Sequence, residues 1–309
     1  MKFYELFQIY KAYDFKGSDY DFGYEEEILK LFNSVDDSII NRYKNSTNCT
    51  MLYWIGNYYA SINNEKAVKY WILASENKNI NAMRSLASYY ELKNETISVI
   101  KYYTMAFENG WTYAITMLGD YFKNINNYQE MVKYYMIAFE NGELDGLIEL
   151  ADYHKDISKN YKLMVHYLMI VINYTDNTNN YNIKHNKSEA LCRLGNYYKD
   201  IEKNYDLMKE YYLLAIEKYE NPYAMASLGD YYENIEQNYD LMLKYYLMGI
   251  YFECQIAMEN LKKYYVKEKR ILDLYQLLLS EFEKCRENFF LLDEVNSLYN
   301  KLNCVIIDI

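Results

Sequence analysis

Apolar and small side chains recur along the chain at i, i+3, i+4 and i+7. Leu52, Ile55, Gly56 and Tyr59 follow this spacing, as do Met225, Leu228, Gly229 and Tyr232. A second kind of stretch carries Ala67, Tyr70, Trp71 and Ala74, then Met131, Tyr134, Tyr135 and Ala138, then Met208, Tyr211, Tyr212 and Ala215. The spacing places each foursome on one stripe of an α-helix. The two kinds of stretch alternate, which predicts repeats of two amphipathic helices each.

One tetrad marks the first helix of each repeat: an aliphatic residue, a small one, a polar one and two aromatics. It reads Ile55-Gly56-Asn57-Tyr58-Tyr59, Leu86-Ala87-Ser88-Tyr89-Tyr90, Leu118-Gly119-Asp120-Tyr121-Phe122, Leu150-Ala151-Asp152-Tyr153-His154, Leu194-Gly195-Asn196-Tyr197-Tyr198 and Leu228-Gly229-Asp230-Tyr231-Tyr232, with a degenerate seventh copy at Leu261-Lys262-Lys263-Tyr264-Tyr265. A second column about nineteen residues later holds Ala74, Ala106, Ala138, Val171, Ala215 and Gly249. Both columns advance by 31 to 34 residues except for one shared step of 44, between Val171 and Gly195. The polar run 174–187 is therefore read as an insertion. Fixed periods of this size are the mark of a repeat architecture.

The small residues need a reason, since glycine inside a helix costs about 1 kcal/mol relative to alanine. Close packing of two helices laden with tyrosine supplies one. The expectation is that Gly56, Gly119, Gly195 and Gly229 face the small column of the partner helix. In the links, the asparagine before each tyrosine (Asn127, Asn160, Asn204, Asn238) is placed to cap the second helix. The isoleucine of the same links (Ile125, Ile157, Ile201, Ile235) is expected to plug the end of the helix pair. Asn109-Gly110 and Asn141-Gly142 read as helix C-terminal caps. Asn221-Pro222 reads as an N-cap followed by proline at the first helical position.

No helix pair can bury its stripe alone, so neighbours must stack. The predicted fold is all-α: a right-handed α-solenoid of antiparallel helix pairs, about seven repeats with terminal helical caps. Residues 1–47 are assigned to an N-terminal helical cap, 48–280 to the repeats with their insertion at 174–187, and 281–309 to a C-terminal capping helix.

The small-x-x-aromatic pattern followed by a small residue about nineteen positions on resembles the tetratricopeptide repeat. Within that superfamily, the Leu-Gly-x-x-Tyr tetrad and the paired aromatics of the second helix (Tyr70-Trp71, Tyr245-Tyr246) look like the Sel-one-like repeat. The resemblance covers roughly residues 48–280. The bias towards Tyr, Asn, Ile and Lys is similar to that of the Sel-one-like proteins of giant DNA viruses. The chain departs from the pattern in its connectors, which lack the glycine-rich insertion, at His154 in an aromatic column and at Lys262 in the small column. The resemblance implies a non-enzymatic scaffold for a partner protein or peptide, bound on the concave face. It does not imply the carboxylate clamp known in some tetratricopeptide proteins. The corresponding column holds Tyr53, Thr116, Ile148, Cys192 and Ala226, with Arg84 alone basic.

Composition narrows the function classes. The net charge of −11 is the wrong sign for a protein whose affinity rests on phosphates. The 41 tyrosines invite an alternative, single-stranded RNA stacked on exposed rings, although the helical stripes need most of them as core. The five cysteines, Cys49, Cys192, Cys254, Cys285 and Cys304, are scattered and odd in number, which argues against a disulfide framework and a zinc site. No apolar run is long enough to span a bilayer, and the amino terminus lacks the pattern of a signal peptide. The expected setting is the cytoplasm, the host's if the chain is viral. The three histidines, His154, His166 and His185, suggest no metal site. A His154/His166 pair is the one conceivable exception. No phosphate-cradling loop or nucleophile motif is present, so no catalytic residue, metal or cofactor is assigned and no small-molecule substrate is expected.

One ladder remains as a candidate binding feature. The residue after each small site is short and polar: Asn57, Ser88, Asp120, Asp152, Asn196 and Asp230. It can solvate the helix and pair with Lys123, Lys155 and Lys199 three positions on, each pair worth a few tenths of a kcal/mol. Alternatively Asn57, Asp120, Asp152, Asn196 and Asp230 form an acidic and amide row that recognises a partner. The first tyrosine of each pair (Tyr58, Tyr89, Tyr121, Tyr153, Tyr197, Tyr231) is left either at the seam between repeats or on the inner surface.

Overall fold

A computed structural model describes residues 48–175 and 180–284. Among these, fourteen α-helices form seven antiparallel pairs, with no strand. The pairs are α1 (Cys49–Ala60) with α2 (Asn64–Glu76), α3 (Ile80–Leu92) with α4 (Thr96–Glu108) and α5 (Ala114–Asn124) with α6 (Tyr128–Glu140). They continue with α7 (Asp145–Asp156) and α8 (Tyr161–Asn173), α9 (Tyr181–Asp200) and α10 (Tyr205–Tyr219), α11 (Pro222–Asn234) and α12 (Tyr239–Tyr251), then α13 (Gln255–Lys267) and α14 (Ile271–Lys284). Each tetrad lies in the first helix of its pair. The expected caps at 1–47 lie outside the described residues, as does most of 281–309.

The chain divides into two compact units, residues 1–146 and 147–309. In the first, α2 packs on α3 and α4 on α5. In the second, α8 packs on α9, α10 on α11, and α12 on α13. Within each unit, successive helix pairs pack on one another, as a one-dimensional array requires.

The local chemistry sets the boundaries. Asn127, Asn160, Asn204 and Asn238 each accept a hydrogen bond through Oδ1 from the backbone N–H three residues on, at 3.3, 3.1, 3.2 and 3.2 Å. Asn221 caps α11 in the same way at 2.9 Å, with Pro222 at the first helical position. Gly110 and Gly142 follow the C-caps Asn109 and Asn141 at φ +102° and +89°, the left-handed region that glycine enters without a Cβ penalty. Part of the 174–187 insertion is helical: α9 starts at Tyr181 and runs 20 residues, where its neighbours α8 and α10 have 13 and 15.

The expectation for the link isoleucines is corrected. Ile125, Ile157, Ile201 and Ile235 are 41, 57, 45 and 49% exposed, and Ile62 in the equivalent position of the first link is 62% exposed. The ends of the helix pairs are closed instead by rings three residues earlier. The second tetrad aromatic stacks face to face on an aromatic of the partner helix: Tyr59 on Tyr70, Tyr90 on Tyr102, Phe122 on Tyr134, His154 on Tyr167, Tyr198 on Tyr211 and Tyr232 on Tyr245. Centroids lie 5.3–5.7 Å apart and planes within 13°. With that volume filled, the isoleucine is left at the surface.

Candidate partner-binding surface

The candidate surface is built from the first helices, and its geometry begins with the small site behind it. A Cβ placed on Gly56 would lie 2.4 Å from Trp71 Cδ1, on Gly119 2.4 Å from Tyr135 Cε1, on Gly195 2.5 Å from Tyr212 Cε1, and on Gly229 2.4 Å from Tyr246 Cδ1. The glycines therefore face the largest side chain of the partner helix. The expectation that they face its small column is corrected. Small meets large, because an aromatic ring laid on a helix needs a small residue beneath it to pack closely. The small column of the second helices belongs to a different contact: a Cβ on Gly249 would lie 2.9 Å from Cβ of Ala257, on the next pair.

The ring that fills the glycine site carries a polar atom, and the ladder residue beside the glycine receives it in three repeats. Trp71 Nε1 donates to Asn57 Oδ1 at 2.9 Å, Tyr135 Oη to Asp120 Oδ1 at 2.6 Å, and Tyr212 Oη to Asn196 Oδ1 at 2.5 Å. Elsewhere the acceptor shifts one turn along the helix. Tyr103 Oη donates to Glu91 at 2.8 Å, and Tyr246 Oη to Glu233 at 2.9 Å. A buried hydroxyl must find a partner, since leaving it unpaired costs about 1–3 kcal/mol. Burial, and then the adjacent glutamates, push the hydroxyls of Tyr103 and Tyr246 well above the ordinary tyrosine range. Burial does the same for Tyr212. Glu91 is raised as well, by burial first and by the charge of Asp120, against the hydrogen bond from Tyr103.

Where no ring hydroxyl reaches the ladder residue, a cation does. Asp152 takes a bidentate pair from Arg193 Nε and Nη2 at 3.0 and 2.8 Å, and the third guanidinium nitrogen holds Glu189 at 2.6 Å. Burial would lower the Arg193 pKa, but its hydrogen bonds to Asp152 and Glu189 outweigh that and raise it. Asp230 accepts from Lys199 of the preceding pair at 2.5 Å and from Asn234 Nδ2 at 2.9 Å. All five predicted ladder residues are half-buried. Asn57 and Asp120 lie in the first unit, and Asp152, Asn196 and Asp230 in the second. The expected pairs with Lys123, Lys155 and Lys199 three positions on are replaced in the second unit by a link between repeats, Lys199 to Asp230.

The first tetrad tyrosines take up the seam in the second unit. Tyr161 packs on Tyr197 at 5.7 Å, Tyr205 on Tyr231 at 5.4 Å, and Tyr239 on Tyr264 at 5.7 Å, each between one pair and the next. In the first unit Tyr121 Oη bonds Thr96 across the same kind of seam at 2.7 Å. Burial pushes Cys192 up to about 12, with Glu189 adding to the shift. His154 lies flat on Tyr167, with Nδ1 2.7 Å from Ser158 Oγ. Burial lowers its pKa. His166 is exposed beside Tyr167. Among the described residues no group of three or more His, Cys, Asp or Glu is arranged to hold a metal, and no helix is long and apolar enough to cross a membrane.

A third column escaped the sequence reading. Five residues before the small site of every pair after the first, which has Met51 there, stand Ala82, Ala114, Gly146, Ala190, Ala224 and Ala257. The alanines are fully buried, and a Cβ on Gly146 would lie 2.9 Å from Tyr135 of the preceding pair. The signal was available as one more column of small residues at the same period.

The described residues thus form an all-α array of antiparallel helix pairs repeated along the chain. Similar solved structures include a Sel1 repeat protein from Oxalobacter formigenes, 16% identical, covering 72% of this chain and 98% of that one at a TM-score of 0.40. The antigen c5321 of uropathogenic Escherichia coli, which displays an SLR fold, is 16% identical over 79% of this chain and 60% of its own, at 0.35. The Cut9–Hcn1 assembly of the APC/C is 14% identical over 76% and 46%, at 0.41. No family profile and no curated protein matches the chain.

Proposed function

We propose that the repeats form a non-enzymatic scaffold that holds a partner protein or peptide, with Asn57, Asp120, Asp152, Asn196 and Asp230 as its contact row. The observation that carries this reading is that each of these half-exposed side chains is fixed from behind, by a buried ring or a cation. Groups already immobilised lose little rotamer freedom on binding, so their contacts cost less entropy. The row carries three carboxylates, two of them shared with Arg193 and Lys199, which favours a partner segment whose own basic groups can compete for them. Single-stranded RNA gains no such support. The rings of the six intra-pair stacks lie against each other, and a stacking platform needs free faces.

The test is anisotropy titration of peptides of one length, graded from net basic to net acidic, against the parent chain and an Asp120→Asn, Asp152→Asn, Asp230→Asn variant. Asparagine keeps an acceptor for the ring, as Asn57 and Asn196 do naturally; lysine at 120 would remove the partner of Tyr135 and confuse binding with folding. Binding of the basic peptides is expected to fall about tenfold, or roughly 1.4 kcal/mol, with the helical circular dichroism unchanged. Equal binding of all peptides by both chains would sink the reading.

A further inference from the structure

The exposed isoleucines of the intra-pair turns form a row that the contact ladder does not use. In the second unit three such turns stand side by side on one edge, as the ring contacts Tyr161–Tyr197 and Tyr205–Tyr231 require, since each joins the exit of one turn to the entry of the next. Ile157, Ile201 and Ile235 project from them, 57, 45 and 49% exposed. One turn after another repeats a large aliphatic side chain at the same place, although a surface turn needs none for its own geometry.

The charges around the row are graded. Residues 155–162 hold Lys155, Lys159 and Lys162 against Asp156. Residues 199–206 hold Lys199 and Lys203 against Asp200, Glu202 and Asp206. Residues 233–240 hold Glu233, Glu236 and Asp240 with no basic residue. Over the three isoleucine turns the edge therefore runs from net basic through near balance to acidic, and the next intra-pair turn, 268–270, has no isoleucine and carries Lys269 and Arg270. Lys159, Lys162, Glu236 and Asp240, at the two ends of the isoleucine row, are exposed. A surface graded in this way is complementary to itself when turned end for end, which is the condition for an isologous contact.

We propose that this edge is a self-association surface, on which a second copy of the chain docks antiparallel about a two-fold axis at Ile201. Ile201 meets its own counterpart at the axis. Ile157 meets the partner copy's third turn, bringing Lys159 and Lys162 of one copy against Glu236 and Asp240 of the other. The opposite, parallel arrangement sets basic on basic and acidic on acidic. A contact limited to three turns falls among the smaller specific interfaces, about 1,200 Å² or less in total, so the dimer is expected in the micromolar range. This surface is distinct from the contact row, and the scaffold reading stands or falls separately.

Sedimentation equilibrium of the full chain at low salt tests it. The parent is expected to dimerise reversibly and to dissociate as salt rises, because the end pairs are exposed charges. Ile201→Asp places two like charges on the axis and is expected to weaken the dimer at least tenfold. Lys159→Glu with Lys162→Glu is expected to weaken it similarly, and adding Glu236→Lys with Asp240→Lys in the same chain to restore it. That restoration cannot come from a folding defect, since it adds substitutions and changes only the pairing. A parent that stays monomeric at about 200 μM, well above the micromolar dissociation constant that a small interface implies, overturns the proposal. So does a dimer indifferent to Ile201→Asp, or charge reversal at one end that reversal at the other fails to rescue.

Discussion

In the third helix pair, Tyr135 lies on Gly119 and gives its hydroxyl to Asp120. In the fourth, the same three columns hold Leu168, Ala151 and Asp152. The changes travel together. A leucine is narrower than a tyrosine, so the opposing helix can carry a methyl group. A leucine also has no hydroxyl, so the aspartate is released from its inward role and pairs with Arg193 of the next repeat. Between these two pairs, the side chain that covers the small site changes together with the residue it covers and with the bond made by the polar residue beside it. In the sixth pair the two roles separate: Tyr246 covers Gly229 but bonds Glu233, and Asp230 joins Lys199 of the preceding pair.

The comparison can be broken most sharply at the ring. Tyr135 is fully buried, and Tyr135→Ala is expected to destabilise the chain by about 3–5 kcal/mol, read from urea unfolding by circular dichroism. Gly119→Ala puts a methyl group into the ring and is expected to cost about 1–3 kcal/mol, despite alanine's better helix propensity. The same substitution made with Tyr135→Leu copies the fourth pair, and the two are expected to be strongly non-additive in a double-mutant cycle. Additive costs would show that the fit of small to large is not what couples the columns.

Smaller effects sharpen it. Tyr135→Phe leaves the packing and removes the bond to a charged acceptor, for an expected loss of about 1.5–3 kcal/mol. Leu168→Phe in the fourth pair has no such bond to lose. The buried hydroxyls of Tyr103, Tyr212 and Tyr246 titrate above the unfolded value of 10.0. The unfolded chain gives up these protons first, so stability is full below pH 10 and declines as pH rises beyond it. Absorbance at 295 nm should show a class of tyrosines ionising only as the helices melt. His154 behaves in the opposite sense: its folded pKa lies below 6.5, so stability falls as pH drops through that value. His154→Tyr, restoring the ring of the other repeats, should abolish this small acid dependence in pH-scanned thermal melts.

Much of this fold can be read from the residues alone. The tetrad, the asparagine caps and the glycine ends were legible because each depends on chain neighbours within a turn or two, and the period because those local signals recur at fixed steps. What faced the small sites was not, because helical periodicity places a stripe without naming its partner. The answer was partly encoded: Gly56, Gly119, Gly195 and Gly229 each have Trp or Tyr 15 to 17 residues downstream, as Ala87 has Tyr103, whereas Ala151 has Leu168. The link isoleucines misled because apolar character was taken to imply burial, when the rings of the stacked pairs had already closed the ends. The ladder was visible as a column, but its inward bonds were not, since they depend on hydroxyls from the partner helix.

The bends of this chain hold a further consequence. Among the described residues, nine other than glycine adopt a left-handed backbone, including Lys78, Asn94, Lys159, Lys203, Glu220 and Gln237, each at a cost of about 1–2 kcal/mol. Glycine sits inside the rods, where it weakens a helix, and is missing from most corners, where it would relieve one. The molecule thus carries an unused margin of thermal tolerance at its corners, open to anyone who exchanges those side chains for hydrogen without touching a single packed surface.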